Sequence, residues 1–351
     1  MSADPNRDYY KLEQYQYTLP SHLIAQYPAQ PRDAARLLVV ERRREVMHDG
    51  RFGDLLNYLH PGDVLVLNDT RVIPARLLGV KPSGGQVELL LLRKKGPEWE
   101  ALARPARRLR PGYRILFPGY GGAAAVITAE LDFPGGRRLI LENCDEKAFI
   151  AQAGHIPLPP YIERSDESGD VERYQTVYAQ HSGSAAAPTA GLHFTRALLE
   201  KIAARGVKIV TIVLHVGLGT FRPVNCADIR QHRMHSEFYQ VSAETAAVLN
   251  QARENGRRIT AVGTTVVRTL ETIYDKNRGY QAGQGETDRF IYPGYAFSAI
   301  DQLVTNFHLP GSSLLMLVAA FLGMEQTKQA YQHAIQEQYR FFSYGDAMLI
   351  C

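Results

Sequence analysis

The feature that most constrains the fold is a short polar junction followed by an uninterrupted apolar run. The junction is TNFHLPGSS (305–313), and the apolar run occupies 314–322. The pattern predicts a buried strand, a Pro-Gly turn and a helix that Ser312 or Ser313 caps, because a serine oxygen can accept from the first free helical N–H groups. Such a junction places His308 beside a helix N-terminus, where backbone donors favour anionic or carbonyl groups.

Two other segments also place a histidine in a glycine-rich stretch. They are PTAGLHFT (188–195), which contains His193, and LHVGLGTFRP (214–223), which contains His215. The second follows a continuous apolar, β-branched run that is typical of a buried parallel strand. These three histidines are expected to belong to one assembled pocket.

The C-terminal half of the chain alternates predicted strands with predicted helices. The strands are predicted over 207–216, 237–241, 258–263 and 302–307, and the helices over 196–205, 243–255, 266–274 and 313–322. This alternation is typical of an α/β domain with a largely parallel sheet. Ligands bind outside the carboxyl ends of such strands, which is where His215, Thr264 and His308 fall. Each of them can alternatively be a turn residue or a helix cap; Thr264 or Thr265 can cap the third predicted helix.

The region 63–143 reads almost entirely as short strands separated by Pro-Gly and Gly-Gly pairs. The apolar runs are 64–67, 86–92, 113–117, 123–131 and 137–141. Five or more short strands in so few residues predict a small closed or nearly closed β-barrel. The expected organisation is a first part of the α/β domain over 1–66, an inserted β-barrel domain over 67–150, and a second part of the α/β domain over 151–351.

Composition limits the classes of protein to which the chain can belong. Its net charge of +4 permits a nucleic-acid partner without requiring one. The three cysteines (Cys144, Cys226 and Cys351) are far apart, which argues against a disulfide framework or a thiolate metal site and fits a reducing compartment. The apolar run is shorter than the roughly 20 residues that a membrane span needs. We expect a cytoplasmic protein with no membrane partner.

Polar side chains at the boundary between the two predicted domains suggest a cleft. Asp69 and Arg71 lie in NDTR, where the α/β part would continue into the barrel, and ligand sites are common between domains. The alternative is a structural turn in which Asp69 accepts from backbone N–H groups. His232 and His235 form His-x-x-His, but no His-Glu-x-x-His helix or thiolate pair supports a metal site.

Two motifs favour a polar ligand without identifying it. Gly217 and Gly219 allow close backbone approach to a ligand, and Thr220 and Arg222 follow them. The motif is not a dinucleotide fingerprint, because no third glycine opens a helix. Arg268 can contact a ligand or form a surface ion pair with the residue three positions later, Glu271.

Basic residues are clustered in three places. Residues 42–44 are all arginine, residues 93–95 are Arg-Lys-Lys, and Arg104, Arg107, Arg108 and Arg110 fall within one short stretch. Such clusters are solvated faces in many proteins, and they are also candidate phosphate contacts.

Taken together, the motifs resemble those of the QueA family, the S-adenosylmethionine:tRNA ribosyltransferase-isomerases of queuosine biosynthesis. The motifs are LIAQYP (23–28), LNDTRVIPARL (67–77), PTAGLHFT (188–195), LHVGLGTF (214–221), MHSE (234–237), AVGTT (261–265) and TNFHLPGSS (305–313). The resemblance extends from about residue 17 to the C-terminus. It implies an α/β domain with an inserted β-barrel.

The resemblance also implies a reaction. The ribosyl part of S-adenosylmethionine would be transferred and isomerised onto 7-aminomethyl-7-deazaguanine at the tRNA wobble position, giving epoxyqueuosine with release of adenine and methionine. S-adenosylmethionine would be a substrate, with no metal or permanently bound cofactor, and the enzyme would be a monomer. The chemistry needs a base at the carbon next to the sulfonium and an acid for departing adenine, roles that suit imidazoles.

Candidate residues follow from the motifs. The catalytic candidates are His215, His308, His193, His235 and Asp69. The substrate-binding candidates are Arg71, Thr189, Gly217, Gly219, Thr220, Arg222, Glu237, Thr264, Thr265, Arg268, Asn306, Gly311, Ser312 and Ser313. The tRNA-binding candidates are Arg104, Arg107, Arg108 and Arg110.

Two other functions remain open at the level of the sequence. An RNA methyltransferase would release S-adenosylhomocysteine instead of adenine, and it usually carries an acidic glycine-rich loop after its first strand, which is not found here. A non-catalytic tRNA-binding protein would leave the histidines in the glycine-rich turns without a purpose.

Overall fold

A computed structural model describes residues 9–217 and 224–351 of the chain. In chain order its strands are β1 (Arg36–Glu41), β2 (Val46–Arg51), β3 (Val64–Asn68), β4 (Thr70–Val72), β5 (Arg76–Val80), β6 (Gln86–Lys95), β7 (Glu98–Arg104), β8 (Arg114–Leu116), β9 (Ala124–Glu130), β10 (Gly136–Glu142), β11 (Gly154–His155), β12 (His181–Ser184), β13 (Lys208–Leu214), β14 (Glu237–Val241), β15 (Ile259–Val262), β16 (Tyr274–Asp275), β17 (Gly279–Tyr280), β18 (Gly283–Thr287), β19 (Gln302–Asn306) and β20 (Ala347–Ile350). The α-helices are α1 (Glu146–Ala153), α2 (Asp170–Arg173), α3 (Arg196–Ala204), α4 (Ala243–Glu254), α5 (Thr264–Ile273), α6 (Ser313–Leu322) and α7 (Met324–Gln336). Short 3-10 helices occupy Leu12–Tyr15, Ser21–Leu23, Arg32–Ala34, Phe52–Tyr58, Thr189–His193 and Ile229–Gln231.

The largest sheet has a parallel centre. Its strand order within the described residues is β18-β14-β13-β3-β15-β19-β20-β1-β2. The pairs β13–β3, β3–β15, β15–β19 and β1–β20 are parallel, and the other four pairs are antiparallel. Every residue of β3, β15, β19 and β20 is buried, as expected for strands covered on both faces.

A separate barrel is formed by β5, β6, β7, β10, β9 and β8. The pairing of Val80 with Leu116 joins β5 to β8 and closes it, while β11 pairs with β5 alongside. Buried residues such as Leu89, Ile115 and Ile127 give the barrel its own apolar core. The predicted fold class, α/β with a small β-barrel, is confirmed.

The sequence pattern was less accurate for individual strands. The apolar run that begins at Val64 was grouped with the barrel strands, but it forms β3 at the centre of the large sheet. Two barrel strands, β5 and β7, were not predicted, because the first contains Gly79 and the second mixes charged residues with alanine. Within the described ranges, no helix combines the length and apolar character that crossing a bilayer requires.

Helices α5 and α6 follow the parallel strands β15 and β19, α5 after one residue and α6 after a six-residue turn, and both begin at the same edge of the sheet. Ser312 caps α6, since its side chain accepts from the N–H of Leu315 at 3.2 Å. The predicted threonine cap of α5 is wrong: the helix begins at Thr264, and Gly263 precedes it with φ 91° and no side-chain cap. A glycine is favoured there because other residues rarely adopt a positive φ.

Candidate active site

One cavity lies where β15 continues into α5 and β19 into α6. We call it the junction cavity; its volume is about 290 Å³. Its polar lining consists mainly of hydroxyl groups, from Thr189, Thr264, Thr265, Thr305, Ser312, Ser313 and Ser343. The rest of the lining is mostly apolar and includes the aromatic rings of Tyr161, Tyr174 and Phe342. Among the described residues no carboxylate lines it, and Arg268 is its one charged side chain.

The N-termini of α5 and α6 meet at this cavity. The first N–H groups of a helix have no partner within the helix, and the helix dipole adds partial positive charge there. Thr264 and Thr265 open α5, whereas Ser313 opens α6. The cavity therefore offers backbone N–H groups that favour an anionic group, in addition to the side chain of Arg268.

Asn306 lines the same cavity and has an unpaired side-chain oxygen. Its side-chain N–H group donates to the carbonyl oxygen of Phe342 at 3.1 Å and lies 3.2 Å from Nε2 of His193. Its Oδ1 atom is buried and has no hydrogen-bond partner among the described residues. A buried orphan acceptor in a cavity wall is a natural partner for an N–H or O–H group of a ligand.

His308 lines the junction cavity and is held from several sides. Its Nε2 lies 2.7 Å from Oγ1 of Thr305, and its backbone N–H donates to the hydroxyl oxygen of Tyr331 at 2.9 Å. The hydroxyl of Tyr17 donates to its carbonyl oxygen. Burial lowers the pKa of His308 to about 3, so the imidazole is neutral near pH 7.

A second cavity lies between the large sheet and the barrel. We call it the barrel-side cavity; its volume is about 650 Å³. The sheet side contributes His215, Gly217, His235, Glu237 and Phe238. The barrel side contributes residues 93–95, Trp99 and Phe133.

His215 is fixed in the wall of the barrel-side cavity. Its Nδ1 lies 2.8 Å from Oγ1 of Thr70, and its ring stacks on Phe238 with centroids 5.6 Å apart. A Cβ at Gly183 would lie only 2.7 Å from Nε2 of His215, so the glycine backbone packs directly on the imidazole. Burial lowers the pKa of His215; nearby His181 lowers it further, and Asp69 opposes both effects.

The two cavities adjoin each other at an ion pair. Arg268 lines the junction cavity and donates to the carboxylate of Glu237, which lines the barrel-side cavity. The other oxygen of Glu237 accepts from the N–H of Gly217 at 2.8 Å. The surface pair of Arg268 with Glu271 is not formed: both are buried, and Glu271 accepts from the N–H of Ala299 at 2.9 Å.

Asp69 contacts a histidine that the sequence analysis did not select. Its Oδ1 lies 3.0 Å from Nδ1 of His181, at the start of β12. The carboxylate is buried whereas the His181 side chain is 53% exposed. Because β12 pairs with β4, this histidine is brought beside Thr70 only by the fold.

Sequence comparison assigns the chain to a family. The model of the family described as "Queuosine biosynthesis protein" matches residues 12–350. The chain belongs to this queuosine biosynthesis family. Among its relatives, the S-adenosylmethionine:tRNA ribosyltransferase-isomerase of Syntrophomonas wolfei is 59% identical, with both chains covered completely.

Two more relatives of the same name and one solved structure agree with this assignment. The proteins of Heliobacterium modesticaldum and Symbiobacterium thermophilum are 54% and 53% identical, over 96% and 97% of this chain and 98% and 99% of theirs. The crystal structure of S-adenosylmethionine tRNA ribosyltransferase from Thermotoga maritima matches with a TM-score of 0.56 and 39% identity. It covers 96% of this chain and 100% of that one.

For this family member, the predicted site residues divide into separate groups. The junction cavity is lined by His308, Thr189, Thr264, Thr265, Arg268, Asn306, Ser312 and Ser313, and the barrel-side cavity by His215, His235, Gly217 and Glu237. His215 follows β13 and His308 follows β19. Because β3 and β15 lie between those strands, their ends are three strand spacings, roughly 14 Å, apart. The expected single pocket is therefore two adjoining cavities.

The remaining candidates lie elsewhere. His193 and Asp69 are buried and line neither cavity; the ring of His193 packs against that of Phe52 in a tilted arrangement, with centroids 4.9 Å apart. Gly311 packs against Gln16, and Arg71 is exposed on β4. The candidates Gly219, Thr220 and Arg222 lie outside the described residues.

The structure adds residues that the sequence motifs did not indicate. Besides His181, these are Tyr161 and Tyr174 in the junction cavity and Trp99 and Phe133 in the barrel-side cavity. Their local sequences resemble ordinary core or loop segments, so no local signal marks them. In the described part of the chain, no group of three or more potential metal-ligating side chains is found.

Proposed function

We propose that the chain transfers and isomerises the ribosyl moiety of S-adenosylmethionine onto 7-aminomethyl-7-deazaguanine at the wobble position of tRNA. The products would be epoxyqueuosine in the tRNA, adenine and methionine. Family membership and full-length relatives of the same name support this activity. The structural observation that carries the proposal is the junction cavity, where two helix N-termini meet beside the side chains of Asn306 and His308.

The junction cavity suits S-adenosylmethionine as a substrate. The methionine carboxylate would lie at the N-termini of α5 and α6, near Thr264 and Ser313. The unpaired Oδ1 of Asn306 would accept from the methionine ammonium group. The volume of the junction cavity, about 290 Å³, is just below the ~300–1,000 Å³ range that is usual for ligand sites.

His215 is our leading candidate for the base that removes a proton beside the sulfonium. Its lowered pKa keeps the imidazole neutral and able to accept a proton at neutral pH. His308 and His235 are the next acid–base candidates. With a pKa of about 3, His308 is neutral but only weakly basic, so it would act mainly through hydrogen bonds.

His193 and Asp69 would act through other residues. His193 lies against the side-chain amide of Asn306, so it would orient the acceptor that faces the junction cavity. Asp69 holds His181, which lies close enough to His215 to influence its pKa. Both are positioning residues in this proposal.

The tRNA would contact the proposed inserted domain, residues 67–150. All four candidate arginines are exposed: Arg104 ends β7, and Arg107, Arg108 and Arg110 lie on the connection from β7 to β8. Within the described residues none of the four takes part in an ion pair, so their charges remain available for phosphates. In the second cluster, Arg42 is packed over Phe321, with its guanidinium 4.0 Å from the ring centroid.

We further propose that the enzyme acts in the cytoplasm as a monomer. Its three cysteines are free, which fits a reducing compartment. Light scattering at several protein concentrations tests the oligomeric state: a mass above one chain would contradict the proposal.

Product analysis tests the reaction. The pure protein is incubated with S-adenosylmethionine and tRNA that carries 7-aminomethyl-7-deazaguanine. Adenine and methionine, together with the corresponding mass gain on the tRNA, are expected. S-adenosylhomocysteine would identify a methyltransferase, and the absence of a tRNA-dependent product would contradict ribosyl transfer to this acceptor.

A further inference from the structure

The two cavities differ in chemistry, which suggests that they bind different substrates. The barrel-side cavity presents the aromatic rings of Trp99, Phe133 and Phe238 together with three carboxylates and three cations, from Glu100, Glu237, Glu286, Arg93, Lys94 and Lys95. By contrast, no carboxylate of the described residues lines the junction cavity. Aromatic faces suit a flat heterocycle by stacking, and carboxylate oxygens can accept from its N–H donors.

Trp99 lines this cavity from the barrel side. Its side chain is largely buried, with 7% of the residue exposed. An aromatic ring in the cavity wall can stack on a flat base. Trp99 is also the single tryptophan of the sequence, which makes its fluorescence specific to this cavity.

Glu286 supplies a carboxylate at the more open part of the cavity. It accepts from the hydroxyl of Ser236 at 2.7 Å and pairs with Arg93 of the barrel. The hydrogen bond from Ser236 lowers the pKa of Glu286, and nearby Arg93 lowers it further, so the group is anionic near neutral pH. A carboxylate has several acceptor positions, so further donors such as ring N–H and amino groups can still bind.

The two cavities adjoin each other, so substrates bound in them could come into contact, as the proposed reaction requires. Consecutive residues line opposite sides of the border: Val216 and Gly217 in one segment, Met234 and His235 in another. A donor in the junction cavity and an acceptor in the barrel-side cavity would therefore approach each other beside His215 and Glu237.

We infer that the barrel-side cavity binds the acceptor nucleobase of the tRNA, a flat deazapurine with an aminomethyl arm, while S-adenosylmethionine occupies the junction cavity. The base lies against Phe133, its N–H edge faces Glu286, and its amine points to the border near His215. This assignment rests on the proposed function, because it takes the two substrates from that reaction.

The test uses the whole protein and three anticodon stem-loops. One carries 7-aminomethyl-7-deazaguanine at the wobble position, one carries guanine, and one is abasic there but keeps the same phosphates. We expect the modified stem-loop to change Trp99 emission and to bind about tenfold or more tightly than the abasic one. Saturating S-adenosylmethionine is expected to leave stem-loop binding in place, since the two ligands occupy different cavities.

Two variants and two matched controls test where the acceptor nucleobase binds. Phe133→Ala and Glu286→Gln are each expected to reduce the advantage of the modified over the abasic stem-loop at least fivefold, while S-adenosylmethionine affinity stays within about twofold. Tyr120→Ala and Glu142→Gln are the controls, because these exposed or half-buried barrel residues line neither cavity. They are expected to change neither affinity.

Each outcome separates the assignment of the cavity from the proposed reaction. Any of three results would overturn the assignment, even if adenine and methionine form. They are competition between S-adenosylmethionine and the stem-loop, unchanged Trp99 emission, and, in both variants, an unchanged ratio of affinity for the modified over the abasic stem-loop. If the base binds as expected but no adenine or methionine is released, the proposed reaction is wrong and the binding site stands.

Discussion

The guanidinium of Arg268 and the carboxylate of Glu237 form an ion pair, with side chains only 6% and 2% exposed, at the border between the two cavities. Arg268 also donates to the carbonyl oxygens of Thr287, at 3.2 Å, and Arg289, at 3.0 Å. The pair thus joins α5 to β14 and to the chain after β18. Removing one partner would leave a buried charge uncompensated, which typically costs about 3–5 kcal/mol.

We expect Glu237→Gln to lower both stability and activity, because the amide can still accept from Gly217 but cannot neutralise Arg268. The free energy of unfolding should fall by about 3 kcal/mol, and adenine release should slow at least tenfold. The double variant Glu237→Gln with Arg268→Met should recover most of the stability without recovering activity. Urea unfolding and product assays measure the two effects separately. Full activity in a stably folded double variant would show that the pair serves structure alone.

Local signals in the sequence predicted single elements well and their arrangement poorly. The turn and the cap before α6 are specified by Pro310, Gly311 and Ser312. Such signals are local, because they act between residues that are close in the sequence. The separation of His215 from His308 depends on strand order, since β3 and β15 lie between β13 and β19. That order is set by pairings between residues far apart in the chain. His181 and Trp99 were missed for the same reason: only tertiary packing brings them to a cavity.

Neighbouring charges should move the pH dependence of His215 in opposite directions. His181 lowers the pKa of His215 and Asp69 raises it, in addition to the larger effect of burial. If neutral His215 is the base, activity falls as pH drops through this pKa. The acidic limb of kcat/KM should therefore move to higher pH in His181→Ala and to lower pH in Asp69→Asn. Thr70→Ser, which keeps the hydroxyl beside Nδ1, serves as the control. If the acidic limb moved in the same direction in His181→Ala and in Asp69→Asn, His215 would be excluded as the titrating base.

Two buried histidines should make the protein sensitive to acid. Burial lowers the pKa of His193 to about 4 and that of His308 to about 3, from an ordinary value of 6.5. Below pH 6.5 the unfolded chain binds protons that the folded chain does not, so stability is present above pH 6.5 and is lost as pH falls toward 4 and then 3. Each histidine contributes a slope of up to about 1.4 kcal/mol per pH unit within its window.

Substitution by glutamine tests this source of acid sensitivity. His193→Gln and His308→Gln should each flatten the fall in unfolding free energy between pH 6 and pH 4.5, even if stability at pH 8 is lower. Exposed His48→Gln is the matched control, with a side chain that is 48% exposed. Urea titrations at a series of pH values give the slopes, and parallel curves for all variants would contradict the expectation.

A buried arginine should determine the shape of the proposed tRNA-binding loop. Arg137 is 7% exposed and donates to the carbonyl oxygens of Ala106, at 2.8 Å, Leu109, at 2.5 Å, and Gly136, at 2.7 Å. These contacts fix the segment that carries the four exposed arginines. In Arg137→Met the carbonyls lose their donors, so tRNA affinity should fall about tenfold although the exposed charges are all retained.

The salt dependence of tRNA binding distinguishes loop charge from loop shape. The double variant Arg107→Gln with Arg108→Gln should reduce the slope of log affinity against log salt by roughly 1.5, since each neutralised phosphate contributes about 0.7–0.9. The double variant Arg43→Gln with Arg44→Gln removes the same charge from the other arginine cluster and should leave the slope unchanged. A smaller slope in the second variant alone would place the tRNA phosphates on that cluster, away from the barrel. Equal reductions in both would mean that the tRNA spans the two surfaces.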